Sequence, residues 1–167
     1  IFASDNGGYT NPFRDKVPTD NWPLRSGKGS LYEGGIRVPL IVRLPGVTPK
    51  GVTCNEPVMC EDFYPTIVEL CGDAAARQAV RGGSLDGFSL VPLVKDPESH
   101  LQRDALFFHY PHYYFNTTPV SAVRVGDWKL LEYLEDNHSE LYNLRDDPGE
   151  AHDLASQQPG RAAELRT

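Results

Sequence analysis

The sequence has few basic residues and no long apolar segment. Of its 167 residues, 16 are Lys or Arg and 23 are Asp or Glu, which gives a net charge of −7. A nucleic-acid partner is therefore not expected, because phosphate binding requires a basic surface. No apolar run approaches the ~20 residues of a membrane-spanning helix. An anion could still bind through a local cation, either a metal ion or a well-placed lysine.

Cysteine and methionine are also scarce. Cys54, Cys60 and Cys71 have no paired CxxC spacing, so a single disulfide between Cys54 and Cys60, or free buried thiols, is favoured over a zinc site. The only methionine is Met59, and there is no signal peptide with charged and apolar regions. Residues 1–3 look like the middle of a buried strand. Because a domain seldom begins there, we expect an N-terminal portion to be missing.

The first hundred residues predict a mixed α/β pattern. Val38–Leu44 is a nearly continuous run of β-formers, which predicts a strand buried on both faces. Glu61–Cys71 is the clearest helix, with Pro65 in its first turn and Gly72 after its end. Three residues of this helix form an apolar stripe expected to face the core: Phe63, Ile67 and Leu70. Residues 73–100 are expected to be a connector with a short helix near Ser89–Val94.

From about residue 101 the pattern predicts a small antiparallel sheet. Ala105–Tyr110 is a short apolar run, and Gly126-Asp127 is a two-residue hairpin signal between two further strands. Glu140–Leu144 is expected to be the last strand, and the tail from about Gln158 a helix. The fold class is therefore α/β, with α+β character in the C-terminal part.

Asp5-Asn6-Gly7-Gly8 is a candidate metal site. A carboxylate and an amide oxygen are hard ligands that suit calcium or magnesium. Neighbouring strand residues point to opposite faces, so Asp5 and Asn6 can reach one ion only where the strand ends, and the glycines provide that end. Taken alone, the tetrapeptide is better explained as a plain turn.

Lys28 is a candidate anion contact. It lies between Gly27 and Gly29, where the backbone can approach a ligand closely and the ammonium can act as a point charge. The segment is not a Walker A loop, because the upstream glycine and the strand–loop–helix context are missing. Taken alone, a solvated surface lysine is the better explanation.

Longer motifs change this interpretation. A strand ending in Ser4-Asp5-Asn6-Gly7 is followed by Gly27-Lys28-Gly29, and then by Tyr-Glu-Gly-Gly-Ile-Arg-Val-Pro over residues 32–39. Near the other end, residues 140–144 read Glu-Leu-Tyr-Asn-Leu and residues 147–150 read Asp-Pro-Gly-Glu. This ordered set resembles the C-terminal portion of the sulfatase family, arylsulfatase-like members of the alkaline phosphatase superfamily. The resemblance covers nearly the whole chain.

The resemblance implies the fold and the roles of several residues. Residues 1–100 would be the C-terminal part of the α/β catalytic domain, with the edge of an alkaline-phosphatase-like sheet. Residues 101–167 would be a small antiparallel sheet with a C-terminal helix. Asp5 and Asn6 would be calcium ligands, and Lys28 would contact the sulfate and the bridging ester oxygen. Glu33 and Arg37 would have a structural role.

The resemblance also implies what is absent. Family members carry a Cys-x-Pro-Ser-Arg-type or Ser-type signature, whose Cys or Ser is converted to formylglycine, and none of the three cysteines here begins such a signature. The nucleophile and the remaining calcium ligands would lie upstream of Ile1. We therefore expect a sulfuric ester hydrolase by family whose isolated fragment is inactive.

His109 and His112 flank Tyr110-Pro111 and precede three further aromatic residues. They could line a pocket for a sulfated sugar, or they could belong to a packed aromatic cluster. The triplet that starts at Asn116 has the form of an N-glycosylation sequon, for which a chance match is the favoured explanation.

Other functions and the substrate stay open at this level. The same superfamily includes phosphomonoester and phosphonate hydrolases, and the chain could also be a non-catalytic domain. The expected substrates are sulfated small molecules or polysaccharides, and the resemblance indicates an exported protein that is periplasmic, secreted or lysosomal.

Overall fold

The computed structural model describes residues 1–12 and 14–166. The chain divides into two compact units. The helical unit comprises Ile41–Gln102 together with Ile1, and the sheet unit comprises Phe2–Leu40 and Arg103–Thr167. These units differ from the predicted domains, because residues 2–40 group with the C-terminal segment. The division into residues 1–100 and 101–167 concerns a longer protein and stays a prediction.

The sheet unit is built on a four-stranded antiparallel sheet in the order β3-β4-β5-β6. Its strands are β3 (Leu106–Tyr110), β4 (Val120–Val125), β5 (Trp128–Tyr133) and β6 (Ser139–Asn143). The hairpin between β4 and β5 turns at Gly126, whose φ of 58° suits a residue without a Cβ. The predicted antiparallel sheet and its C-terminal helix, α5 (Pro159–Arg166), are confirmed.

Each face of this sheet has its own apolar cluster, because alternate strand residues point to opposite sides. One face carries Val120, Leu131 and Tyr142, which pack with Leu31 and Tyr32 from the N-terminal segment. We call this the loop face. The opposite face, the α5 face, carries Leu130 and Leu141 and packs against the C-terminal helix.

The N-terminal part of the sheet unit contains little regular structure. A two-stranded sheet pairs β1 (Phe2–Ala3) with β2 (Leu40–Ile41), and a single helical turn forms α1 (Glu33–Ile36). The prediction of a doubly buried strand at Val38–Leu44 was wrong. Only two of its residues pair as a strand, and Ile41 is 62% exposed, since β1 is the one strand that pairs with it among the described residues.

The helical unit contains α2 (Phe63–Cys71), α3 (Ala74–Gly82) and α4 (Val91–Lys95). A 3₁₀ turn at Cys60–Asp62 precedes α2. The buried Asp62 carboxylate accepts from Met59 N at 2.8 Å and from Phe88 N at 2.7 Å. The start of α2 is therefore tied to the segment that leads into α4.

Several predictions for the helical unit need correction. Ile67 is half exposed, so only part of the expected stripe of α2 faces the core, and the fully buried positions of this helix are Pro65 and Thr66. Residues 73–100 are not simply a connector, because α3 begins after Asp73, which caps it by accepting from Ala76 N at 2.8 Å. The predicted short helix is confirmed as α4.

The cysteines are neither bridged nor buried. Cys54, Cys60 and Cys71 are free and exposed, so both the disulfide and the buried thiols were wrong. Across residues 1–12 and 14–166, no helix has the length and apolar character that crossing a membrane demands.

Candidate functional site

Backbone contacts join the Asp5–Gly8 segment to residues 25–32, which we call the lysine loop, and to helix α1 directly after it. Gly7 N donates to Gly35 O at 2.8 Å, and a Cβ on Gly7 would lie 1.8 Å from Gly34 O. Lys28 N donates to Gly8 O at 3.0 Å. Close backbone approach of this kind requires glycine, since any side chain would force the segments apart. The two motifs singled out in the sequence are therefore joined directly.

Asn21 strengthens this junction with its side-chain amide. Its Oδ1 accepts from Gly8 N at 3.2 Å, and its Nδ2 donates to Gly8 O at 3.0 Å and to Ser26 O at 2.9 Å. The side chain of Asn21 thus holds Gly8, at the end of the candidate metal segment, at a fixed distance from Ser26 in the lysine loop.

Asp5 and Asn6 provide oxygen donors at the exposed side of the junction. Asp5 is exposed, and Asn6 is half-buried. Asn6 Nδ2 donates to Gly7 O at 3.0 Å, which commits the nitrogen end of the amide and leaves Oδ1 as the end that could face a cation. One carboxylate and one amide oxygen fit the hard-ligand preference of calcium, which takes six to eight oxygens.

The donor set in this part of the chain is incomplete for a metal ion. Among residues 1–12 and 14–166, no three His, Cys, Asp or Glu side chains lie close enough to hold one. Asp5 and Asn6 are therefore at most part of a site within these residues, and the further ligands expected outside this chain stay a prediction.

Lys28 is exposed on a loop whose backbone turns sharply and is held by hydrogen bonds. Ser26 and Gly29 have φ values of 64° and 87°, so the backbone turns sharply on both sides of the lysine. The ring of Tyr114 lies against Gly29, where an added Cβ would come within 2.2 Å of Tyr114 Cδ1. The lysine side chain can therefore reach outward from a rigid base.

Asn116 binds the same loop from the β3–β4 connection. Its Nδ2 donates to Ser26 Oγ at 3.0 Å, to Lys28 O at 3.3 Å and to Gly27 O at 3.4 Å. This amide nitrogen is therefore engaged in contacts with the lysine loop, and the interpretation of the sequon as a chance match stays a prediction.

Arg25 anchors the loop to the loop face of the sheet. Its Nη1 donates to Tyr142 OH at 2.9 Å and to Glu150 O at 3.0 Å, and its guanidinium lies 3.8 Å from the centre of the Tyr32 ring. Tyr32 OH and Tyr142 OH both donate to Glu140 Oε2, at 2.6 and 2.9 Å. Burial, and then the hydrogen bond to Glu140, raise the pKa of both tyrosines, which keeps them as neutral donors.

A buried ion cluster fixes the other end of the loop. Lys129 Nζ lies 3.0 Å from Glu33 Oε1 and 2.7 Å from Glu150 Oε1, and all three side chains are at most 2% exposed. Glu150 Oε2 also accepts from Glu33 N at 2.6 Å. The structural role expected for Glu33 agrees with this arrangement, although Lys129 is a closer partner than Arg37, whose Nη1 lies 3.9 Å from Glu33 Oε2.

The two histidines differ in their relation to the lysine loop. His109 is exposed on the α5 face, 2.8 Å from Ser121 Oγ, whereas the segment after Lys28 packs on the loop face. The structure therefore does not bring His109 and Lys28 together. His112 is exposed and packs edge-on against Tyr110 at 5.3 Å, in the same connection as Tyr114 and Asn116.

The residues that hold Lys28 in place were not predicted from the sequence. Asn116 lies 88 residues from Lys28 along the chain, and Lys129 lies 96 residues from Glu33. No local spacing reports such contacts. The one available signal was the family-like segment that ends at Glu150, which was noted without a role for its carboxylate.

The fold is that of sulfatases. The structure is similar to that of Ps i-CgsB in complex with k-i-k-neocarrahexaose, with a TM-score of 0.75 and 28% identity over 98% of this chain and 34% of that one. It is also similar to BT4656 in complex with its substrate D-glucosamine-2-N,6-O-disulfate, with a TM-score of 0.67 and 25% identity over 82% of this chain and 28% of that one.

Sequence comparison defines the family. Residues 26–165 match the family model described as N-sulphoglucosamine sulphohydrolase, C-terminal, so the chain belongs to this sulfatase family. A sulfatase of Formosa agariphila is 40% identical over 170 residues, which cover 96% of this chain and 29% of that protein. The chain spans about a third of the length of the curated relatives it matches.

Proposed function

We propose that this chain is the C-terminal part of a calcium-dependent sulfatase that hydrolyses aryl or carbohydrate sulfate esters, with a formylglycine nucleophile outside the chain. The observation that carries the proposal is the hydrogen bond from Lys28 N to Gly8 O at 3.0 Å. It joins a cation to a segment with two oxygen donors for a metal, so that one sulfate group could meet both.

Asp5 and Asn6 would hold calcium together with ligands from outside this chain. Support comes from the amide of Asn6, whose nitrogen is occupied by Gly7 O. Bound calcium would supply positive charge that polarises the sulfate oxygens.

Lys28 would stabilise the negative charge that develops on the bridging oxygen as the ester bond breaks. Its base is held by Gly8 on one side and by Asn116 on the other, so little reorganisation is required during the reaction. Removing one preorganised charge of this kind typically costs ~3–4 kcal/mol of transition-state stabilisation.

A sulfated saccharide is the substrate class best supported, since both solved relatives described above are complexes with saccharides. His112 would contact such a substrate beside the lysine loop. His109 would do so only if the substrate extends to the α5 face, where an apolar groove includes Phe107 and Val123.

The test is hydrolysis of 4-nitrophenyl sulfate, and of a glucosamine 6-O-sulfate, by the protein that includes the segment upstream of Ile1. Lys28→Ala should lower kcat/KM by about a hundredfold to a thousandfold, whereas Lys50→Ala, which alters another exposed lysine, should have no effect. Unchanged activity in Lys28→Ala would reject the role of Lys28. Turnover of 4-nitrophenyl phosphate in place of the sulfate would indicate a phosphomonoester hydrolase.

The 167-residue chain alone should show no turnover, because it lacks the nucleophile. Hydrolysis of either sulfate by this chain, above the rate of its Lys28→Ala variant, would contradict the proposal that the nucleophile lies elsewhere.

A further inference from the structure

We propose that Asn116 is a positioning residue that sets the direction of Lys28 toward the leaving-group oxygen of the ester. The inference rests on the proposed function, because it assigns Asn116 a task only if Lys28 acts on that oxygen. Asn116 would act through the peptide groups of the lysine loop and would not itself touch the substrate.

The contacts of Asn116 are concentrated on the residues around the lysine. Its Nδ2 lies 3.4 Å from Gly27 O and 3.3 Å from Lys28 O, the carbonyls on either side of the Lys28 Cα. Its third partner is Ser26 Oγ at 3.0 Å. The orientation of the amide follows from chemistry, because the opposite orientation would place its oxygen against two carbonyl oxygens.

The other end of the amide indicates what the residue is for. Asn116 Oδ1 is the buried side-chain atom without a hydrogen-bond partner within residues 1–12 and 14–166. Leaving a buried acceptor unpaired costs stability. An asparagine placed only to stabilise the fold would not carry that cost, so the donor end, which faces the lysine loop, accounts better for its presence.

The loop needs such an external donor because glycine flanks Lys28 on both sides. Glycine leaves its neighbouring peptide groups free to rotate, and Gly29 already has a φ of 87°. Gly8 O holds the amide of Lys28, and Asn116 holds the carbonyls of Gly27 and Lys28. Gly27 O also accepts from Ser30 N and from Ser30 Oγ, both at 3.1 Å, so the contact that Asn116 alone supplies among the described residues is the one to Lys28 O.

A displaced Lys28 has a specific kinetic signature. The charge on the bridging oxygen in the transition state is greatest when the leaving alcohol is a weak acid. Loss of a correctly placed ammonium should therefore slow esters of weakly acidic alcohols more than esters of strongly acidic ones. A purely structural defect lowers the fraction of active protein and slows every ester by the same factor.

The experiment measures kcat/KM for substituted phenyl sulfates, from 4-nitrophenyl sulfate to phenyl sulfate, with the full-length protein. Asn116→Ala and Asn116→Asp should lower kcat/KM for phenyl sulfate by about tenfold more than for 4-nitrophenyl sulfate, since small misplacements of a catalytic group have effects of this order. The readout is the ratio of kcat/KM for phenyl sulfate to kcat/KM for 4-nitrophenyl sulfate. Because this ratio does not depend on the fraction of active protein, it remains informative for a variant that folds poorly.

Thr117→Val is the matched control. The Thr117 hydroxyl lies in the same connection, and among the described residues it donates to Thr118 O at 3.0 Å and not to the lysine loop. Its variant should leave the ratio unchanged. Adding Asn116→Ala to Lys28→Ala should likewise produce no further change in the ratio, because the group being positioned is gone.

The outcomes separate this inference from the function beneath it. An equal loss for all esters in the Asn116 variants, the same ratio change in Thr117→Val, or a further ratio change on the Lys28→Ala background would overturn the role of Asn116. Absence of sulfate ester turnover in the unsubstituted protein, or an unchanged ratio in Lys28→Ala, would instead reject the proposed function.

Discussion

At the scale of single residues, the main cost in the candidate site is the burial of charge. Lys129 is completely buried, and its ammonium is neutralised by the carboxylates of Glu33 and Glu150. The two carboxylates share this one buried ammonium, and two guanidinium groups lie farther away, with Arg37 Nη1 at 3.9 Å and Arg124 Nη1 at 4.0 Å from Glu33 Oε2. Burial raises the pKa of Glu150 and outweighs the opposing effect of Lys129. Lys129 is therefore the group that compensates the charge of both buried carboxylates at close range.

Lys129→Met should lower the free energy of unfolding by about 3–5 kcal/mol, because removing one partner leaves buried charge without compensation. When folding raises the pKa of a carboxyl group, that group stabilises the folded state at low pH. The stabilisation is complete below the pKa of the unfolded chain, and it is lost as the pH rises through the pKa of the folded state. The deficit of the variant should therefore be smaller at about pH 5 than at about pH 7.

Urea unfolding at both pH values checks this expectation. Lys50→Met, at an exposed position, is the control and should cost far less. A deficit that is equal at the two pH values would show that the loss comes from packing and not from the unpaired carboxylates.

At the scale of secondary structure elements, α3 is held mainly by its cap. None of its residues is buried, and Asp73 accepts from Ala76 N at 2.8 Å at its start. A helix without a buried face obtains little stability from packing, so the cap is a large part of what it has.

Asp73→Ala should therefore destabilise α3 by about 1 kcal/mol while leaving the rest of the unit intact. Amide hydrogen exchange should speed up within Ala74–Gly82 and stay unchanged in α2. Asp86→Ala, at an exposed position in the same unit, is the control. Equal acceleration in both variants would show that the capping bond has no specific role.

The elements also show where sequence patterns are sufficient. The β4–β5 hairpin was predicted because its turn signal and its alternating strands are local. The prediction of a buried strand at Val38–Leu44 was wrong, because apolar composition does not supply the neighbouring strands that would bury it. Asp73 followed by three alanines is a local helix signal, but α3 was not among the predicted helices. The contacts of Asn116 with the lysine loop could not be predicted from local sequence, because they join residues that are far apart along the chain.

At the scale of the whole molecule, apolar side chains remain exposed on the short ribbon of β1 and β2. Phe2 is 66% exposed and Ile41 is 62% exposed. A two-stranded ribbon is marginally stable by itself, and an apolar strand edge can pair with another chain. This surface is where the isolated chain should associate with itself.

Sedimentation velocity should show association that increases with the concentration of the 167-residue chain. Ile41→Lys should reduce it, because a charge on a strand opposes edge pairing. Val47→Lys, which alters an exposed apolar residue outside the ribbon, should change it little. A chain that is monomeric at every concentration, or an equal effect of both variants, would contradict this expectation.

The backbone junction beneath Lys28 also has a genetic consequence. A Cβ on Gly7 would lie 1.8 Å from Gly34 O, and one on Gly35 would lie 2.1 Å from Ser30 O. Every missense change in a glycine codon introduces a residue with a Cβ. In a mutational library selected for folded protein, these two codons should therefore retain only synonymous changes. All missense changes should be lost, whatever the chemical character of the residue that is introduced.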